Sequence, residues 1–136
     1  MGNRKPELES LIHSLRAGTP RAAYLARREL VGFGRAAEAP LIRLLGEVND
    51  AHRILEVLGA LQKVKMSDPG SVDAVVRLLS RKETFVRGAA AACLLAASPK
   101  LRRVLALIRA AHAAERDRHV RATLQQLLDR YPGDAA

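Results

Sequence analysis

The sequence predicts an all-α solenoid of four helical pairs, with about eight helices in total. Apolar residues recur at i, i+3, i+4 and i+7 from four starting points, Leu8, Leu41, Val72 and Leu101, and this is the spacing of one buried helix face. These starting points lie 33, 31 and 29 residues apart, the period typical of helical-pair repeats. Aromatic residues make up only 3% of the chain, so we expect a core of Leu, Val, Ile and Ala in closely packed helices.

One helical pair buries too little apolar surface to offset the entropy of ordering its residues, so the pairs must stack on one another. The length of 136 residues fits one domain. We therefore predict a single domain over residues 1–136, with pairs over about 6–34, 35–66, 71–97 and 98–131 and a tail over 132–136.

Proline and glycine delimit the first two helices. Pro6 suits the first turn of a helix, where its missing N–H would be unpaired anyway, and Gly18 ends that helix. Thr19 is predicted to cap the second helix ahead of Pro20. The residues predicted to point inward from the second helix are Ala22, Leu25, Ala26, Leu30 and Phe33.

A third helix is predicted over about residues 35–48, and Pro40 requires either that it starts near residue 39 or that it is kinked. Asn49 and Asp50 are predicted to cap a fourth helix, which ends near Lys65. Its predicted inward residues are Ile54, Val57, Leu58 and Leu61.

The second half of the chain repeats this pattern. Ser71 is predicted to cap the fifth helix after a loop over residues 67–70. The sixth helix, about 83–97, is rich in alanine, so we expect neighbours to pack closely on more than one of its flanks. Ser98 and Pro99 are predicted to open the seventh helix, which continues to Ala114, and the eighth begins near Asp117.

A motif of an acidic residue, two further residues and then Val-Arg occurs twice at the start of a predicted helix, over residues 83–87 and 117–121. Together with the alanines and leucines that follow, this motif resembles HEAT repeats, in particular the short HEAT-like repeats of phycobilin lyases. The resemblance implies a right-handed α–α superhelix and a protein-binding role without a cofactor. The likeness to the lyases alone implies an accessory lyase or chaperone for a tetrapyrrole-bearing protein.

The motif weakens toward the N-terminus. Asn49 and Arg53 lie 34 residues before Glu83 and Arg87, as the repeat requires. The apolar stripe of this helix starts at Ile54, however, and places the start of the repeat two residues later. Because burial outweighs a surface pair, we take the stripe to define the register. Where the motif is complete, its acidic and basic residues are spaced i, i+4. We interpret Glu83 with Arg87 and Asp117 with Arg121 as a structural ladder between repeats, and a charged binding ladder is the alternative.

In a solenoid, the residues opposite the buried stripes of the inner helices face a concave groove. The predicted partner-binding residues in this groove are Tyr24, Arg27, Arg28, Lys63 and Leu95. Ala60 is counted on the same face, and Gly88, Ala91, Ala92 and Leu95 would form a flat apolar floor suited to another helix or an extended peptide. The alternative is that these alanines face solvent or a neighbouring repeat.

The formal net charge of +9 favours an anionic partner. Arg outnumbers Lys and Ala is abundant, so the bias of a GC-rich genome is an alternative explanation. Sequence-independent nucleic-acid binding is the second functional hypothesis, through basic residues near helix junctions on one edge. The candidate phosphate contacts are Arg81, Lys82, Lys100, Arg102, Arg103 and Arg118.

No catalytic or metal-binding pattern is found. The four histidines are scattered without a second histidine or a cysteine at i+4, and Cys93 lies on a buried stripe, where an inert thiol is expected. The single cysteine fits a reducing compartment. We therefore expect a non-catalytic cytoplasmic scaffold, monomeric or weakly self-associating, without a cofactor or membrane association, that binds another protein.

Overall fold

The computed structural model describes residues 4–97 and 101–132, and all regular secondary structure in these ranges is helical. The eight α-helices are α1 (Lys5–Ala17), α2 (Pro20–Val31), α3 (Glu38–Leu45), α4 (Ala51–Val64), α5 (Pro69–Val76), α6 (Thr84–Ala96), α7 (Leu105–Ala114) and α8 (Arg118–Asp129). Three short 3-10 segments, Gly34–Ala37, Arg77–Ser80 and Arg102–Val104, adjoin α3, α5 and α7. The prediction of an all-α chain with eight helices is confirmed. Ser98 and Pro99, predicted to open the seventh helix, lie outside the described residues, but α7 begins only at Leu105 after a 3-10 segment, so the predicted start was too early.

Side-chain caps begin three of the four even-numbered helices. The Thr19 hydroxyl accepts a hydrogen bond from the Ala22 backbone N–H at 3.1 Å, as predicted. The Asp50 carboxylate accepts a hydrogen bond from the Arg53 N–H at 3.1 Å. Of the two residues predicted to cap α4, Asp50 is therefore the N-cap. In α8 the Asp117 carboxylate accepts from the Val120 N–H at 2.9 Å.

The fifth helix starts earlier than predicted. Asp68 is its N-cap, with its carboxylate accepting from the Gly70 N–H at 2.8 Å, and Pro69 follows in the first turn. The prediction of Ser71 as the cap was wrong, because Ser71 lies buried inside α5 and donates its hydroxyl to Glu38 at 2.6 Å. Pro40 lies in the first turn of α3, where the N–H groups have no intrahelical partners. The third helix therefore starts near residue 39, as one of the two predicted alternatives required, and not near residue 35.

Glu38 is a buried carboxylate that holds the loop between α4 and α5. It accepts hydrogen bonds from the backbone N–H groups of Ser67 and Asp68 and from both the Ser67 and Ser71 hydroxyls, over 2.6–3.1 Å. Burial raises the pKa of Glu38, but these hydrogen bonds outweigh it and leave the pKa below its ordinary value. No sequence pattern pointed to this contact.

The helices pack as consecutive pairs, α1 with α2, α3 with α4, α5 with α6 and α7 with α8. The even-numbered helices also contact one another in order, and α1, α3 and α5 do the same. The seventh helix departs from this order, because it meets the 3-10 segment Arg77–Ser80 that follows α5. Each pair is thus covered by the next one along the chain.

The predicted apolar stripes form the core. Leu41, Leu44 and Leu45, the inward set of α4, and the stripes that start at Val72 and Leu101 are all buried. Leu25 was wrongly placed inside, since 44% of its surface is exposed. The buried face of α2 consists of Ala23, Ala26 and Leu30, so this helix is rotated away from the predicted face.

Tyr131 joins the last helix to the start of the fourth pair. Its hydroxyl accepts a hydrogen bond from the Leu101 backbone N–H at 2.7 Å, and its ring packs against the core. None of the described helices combines the length and the apolar character that crossing a bilayer would require.

Candidate functional site

Three of the five predicted partner-binding residues come together on the solvent-exposed face of α2. Tyr24 is 45% exposed, and the guanidinium carbons of Arg27 and Arg28 lie 5.2 Å and 6.0 Å from the centroid of its ring. Arg27 also reaches across to α4, where its Nη1 lies 3.4 Å from Glu56 Oε1. The result is an exposed aromatic residue beside two cations, one of which is held by a carboxylate.

Gly59 of α4 makes room for Arg27. A Cβ at Gly59 would lie 2.6 Å from Arg27 Nη1 and 2.9 Å from its Cδ, closer than side-chain atoms tolerate. The absence of a side chain at Gly59 therefore lets the arginine cross between α2 and α4.

The other two predicted groove residues lie apart from this cluster. Lys63 is exposed at the end of α4, whereas Leu95 is half-buried and packs against the core. Ala60, predicted on the groove face, and Ala91, predicted on the groove floor, are completely buried, so neither is open to a groove, and their burial fits the alternative that they face a neighbouring repeat. The reason is that α4 packs between α2 and α6, and α6 packs between α4 and α8. These neighbouring helices bury side faces of α4 and α6 that the prediction, based on one buried stripe per helix, had left exposed.

Arginine side chains tie the loops between successive helices together. Arg87 donates through Nε to Glu115 Oε2 at 2.8 Å and through Nη2 to Oε1 at 3.1 Å, and its Nη1 donates to the Arg81 and Lys82 carbonyls at 2.9 Å. Arg53 donates to the carbonyls of Leu15 at 2.8 Å and Gly18 at 3.0 Å.

Arg121 follows the same pattern, with Nε 3.0 Å from the Glu115 carbonyl oxygen. Arginines 34 residues apart therefore all bind loop carbonyls. The predicted i, i+4 pairs were wrong in detail, because Glu83 pairs with Arg81 at 3.0 Å and Arg87 with Glu115 of the next pair.

The ion pair between Arg87 and Glu115 is the most buried one found in the described residues, with side-chain exposures of 18% and 2%. The hydrogen bonds from Arg87 lower the pKa of Glu115 against the opposing effect of burial. The same bonds raise the pKa of Arg87. This pair is structural, since both partners are used in joining α6 to the loop between α7 and α8.

Most of the candidate phosphate contacts that the structure describes lie at helix junctions and are engaged by other groups of the protein. Arg81 and Lys82 precede α6 in the chain, while Arg102 and Arg103 follow it in the next 3-10 segment. Arg81 binds Glu83 and the Asn49 carbonyl, and Arg103 binds Asp73 at 2.8 Å. Arg102 lies over the Tyr131 ring with 5.7 Å to the centroid, Arg118 is exposed at the start of α8, and Lys100 lies outside the described residues.

A cleft of about 870 Å³ opens between α5 and α7. Its apolar walls include Val76 and Leu79 on one side and Leu107 and Ala111 on the other. The ion pair between Arg87 and Glu115 also borders it. Sequence analysis missed this cleft. The available signal was a second apolar set on the seventh helix, at positions 107, 110, 111 and 114, beside the stripe that is buried.

Cys93 is buried, as predicted, and its Sγ donates to the Leu58 carbonyl at 3.0 Å. Burial raises the pKa of the Cys93 thiol to about 12, so the thiolate is not populated at neutral pH. Among residues 4–97 and 101–132, no three His, Cys, Asp or Glu side chains are grouped as metal ligands would be. Comparisons of the chain with protein-family models, curated proteins and solved structures find no match.

Proposed function

We propose that the protein is a non-catalytic scaffold that binds another protein through the solvent-exposed, concave side formed by its even-numbered helices. The observation that carries the proposal is the exposed Tyr24 with Arg27 and Arg28 beside its ring. Tyr and Arg are the residues that most often dominate the binding energy of protein interfaces. The tie between Arg27 and Glu56 holds one arginine in place before a partner arrives, which lowers the entropy lost on binding.

The proposed architecture is a right-handed HEAT-like superhelix with the even-numbered helices on its concave side. Two observations support it. Consecutive pairs pack on one another in chain order, and Arg53, Arg87 and Arg121 bind loop carbonyls at a 34-residue interval. A cytoplasmic location is proposed from the single, buried and unpaired Cys93.

Site-specific photo-cross-linking tests the binding face. A photoreactive residue replaces Tyr24 in one variant and Arg43, exposed on α3 in the other helix layer, in a matched control. We expect a defined partner to cross-link from position 24 and not from position 43. Arg28→Glu and Lys63→Glu, both at exposed positions, should reduce the cross-linked product. Equal cross-linking from both positions, or an unchanged yield in both charge variants, would exclude this face.

Nucleic-acid binding is the weaker candidate, because several of its required cations are already used inside the protein. Arg81 pairs with Glu83, and Arg103 pairs with Asp73. A phosphate backbone would have to replace these pairs, at the cost of leaving the carboxylates without their partners. Retardation of duplex DNA that disappears steeply with added salt would reinstate this function.

A further inference from the structure

The cleft between α5 and α7 carries an inference separate from the face around Tyr24. Leu107 on α7 lines this cleft and is 58% exposed, more than any other large apolar side chain of the described residues. Solvent-exposed leucine on the wall of a concave apolar surface is typical of binding sites rather than of isolated surface residues.

The opening arises where the order of helix contacts changes. The first three odd-numbered helices contact one another directly, and α7 instead contacts the 3-10 segment Arg77–Ser80. The cleft left between α5 and α7 has a volume of about 870 Å³. An α-helix about 10 Å across occupies roughly 420 Å³ per turn, so the cleft is comparable in volume to about two helical turns.

The charged residues around the cleft indicate which charge a binding partner should carry. Five of its lining residues are cationic and two are acidic. Both acidic residues are already paired, Asp73 with Arg103 and Glu115 with Arg87. The remaining lining cations include three exposed side chains, Arg77, Lys82 and Arg116. An acidic partner would complement this rim, whereas a second copy of the chain, with its net charge of +9, would not.

We propose that this cleft binds an amphipathic α-helix of another protein, one whose apolar ridge contacts Leu107 and whose flanking residues are acidic. The apolar walls at Val76, Leu79 and Ala111 would receive the ridge. Arg77, Lys82 and Arg116 would face the carboxylates along its sides. This is recognition of a helix in a groove, with the rim charges selecting the partner.

Fluorescence anisotropy with designed peptides tests the proposal. The probe is a fluorescein-labelled amphipathic helix of about 14 residues, roughly four turns, with leucines at i, i+3, i+4 and i+7 and glutamates on its other faces. A second peptide carries lysine in place of every glutamate. We expect saturable binding of the glutamate peptide to the intact protein and none of the lysine peptide.

Variants of the intact protein locate the binding. Leu107→Asp should weaken binding by about tenfold or more, because one apolar side chain loses its burial in the complex. The pair Lys82→Glu with Arg116→Glu should weaken it by a similar factor. Leu25→Asp is the matched control, since Leu25 is also an exposed leucine but lies on α2, and it should leave the affinity unchanged. Circular dichroism melting curves establish that each variant is folded.

Four outcomes would overturn the proposal. They are failure of the glutamate peptide to bind, equal binding of the lysine peptide, an affinity unaffected by Leu107→Asp, and displacement of the peptide from the cleft by duplex DNA at low salt. Sedimentation of the free protein adds a fifth test, because a dimer that Leu107→Asp dissociates would assign the cleft to a second copy. None of these outcomes depends on the cross-linking result at Tyr24.

Discussion

Arg87 on α6 donates two hydrogen bonds to the carboxylate of Glu115, at 2.8 Å and 3.1 Å, and so joins the third helical pair to the fourth. The same guanidinium binds the carbonyls of Arg81 and Lys82. One side chain therefore connects the loop before α6, α6 itself and the loop before α8. A planar donor with five N–H groups can do this, and lysine cannot.

Replacing Arg87 by alanine should destabilise the protein strongly. The change leaves Glu115 buried without its cation, which costs about 3 kcal/mol or more of the free energy of unfolding. Urea denaturation measures this loss. Arg103→Ala is the matched control, since it removes an ion pair whose side chains are 62% and 44% exposed, and it should cost less than about 1 kcal/mol. Similar losses for the two variants would contradict the structural role of Arg87.

Glu38→Gln should make stability less dependent on acid. The folded-state pKa of Glu38 lies below its ordinary value of 4.5, so its ionised form contributes stability that is complete above pH 4.5 and is lost as pH falls through the lower folded pKa. We expect the variant to be less stable than the original by about 1–3 kcal/mol at neutral pH, and the difference to shrink in acid.

Urea midpoints measured at several pH values test the role of Glu38. Glu29→Gln serves as the control, because Glu29 is exposed on α2. A difference between the original chain and Glu38→Gln that stays constant across the acid range would rule out the proposed contribution.

Two glycine-to-alanine substitutions in helices should differ in effect. At Gly88 a new Cβ would lie 3.5 Å from Val120 Cγ2, an ordinary contact, so Gly88→Ala should stabilise the fold by about 0.5–1 kcal/mol. At Gly59 the new Cβ would displace Arg27 and disturb its pair with Glu56, so the gain should be smaller or absent. Urea denaturation compares the two directly. An equal gain at both positions would mean that Arg27 moves without cost.

Cys93 should resist thiol reagents while the protein is folded. Its thiol is buried, is bonded to the Leu58 carbonyl and has a pKa of about 12, so neither access nor ionisation favours reaction at mildly alkaline pH. Labelling with a chromogenic disulfide reagent should be slow in buffer and rapid in denaturant. The chain contains one cysteine, so the colour reports Cys93 alone. Fast, complete labelling of the folded protein would show that α4 and α6 separate readily.

The helices were predictable because their apolar residues recur with the helical period and because proline, threonine and aspartate mark their starts. For the apolar stripes that start at Leu41 and Val72, only one face of each helix could be the buried one. Contacts set by tertiary packing were not predictable. Leu25 and Ala60 depend on how α2 and α4 rotate against their neighbours, and Glu38 finds its donors in a loop 29 residues away.

The candidate site was predicted in part. Tyr24, Arg27 and Arg28 lie close in sequence on one helix, so counting along α2 brought them together. The cleft beside Leu107 depends on the spacing between α5 and α7. That spacing is a property of helix packing that no local pattern encodes.

The aliphatic interior also determines which optical methods can follow this protein. The chain has no tryptophan, and its two tyrosines lie in the first and last helical pairs, Tyr24 in solvent and Tyr131 bonded to Leu101. Ultraviolet emission during denaturation therefore responds mainly at the C-terminal end, while far-ultraviolet dichroism averages over all helices. Transitions that coincide would mean that the stack melts as one unit, and an earlier change in emission would mean that it unravels from α8 inward.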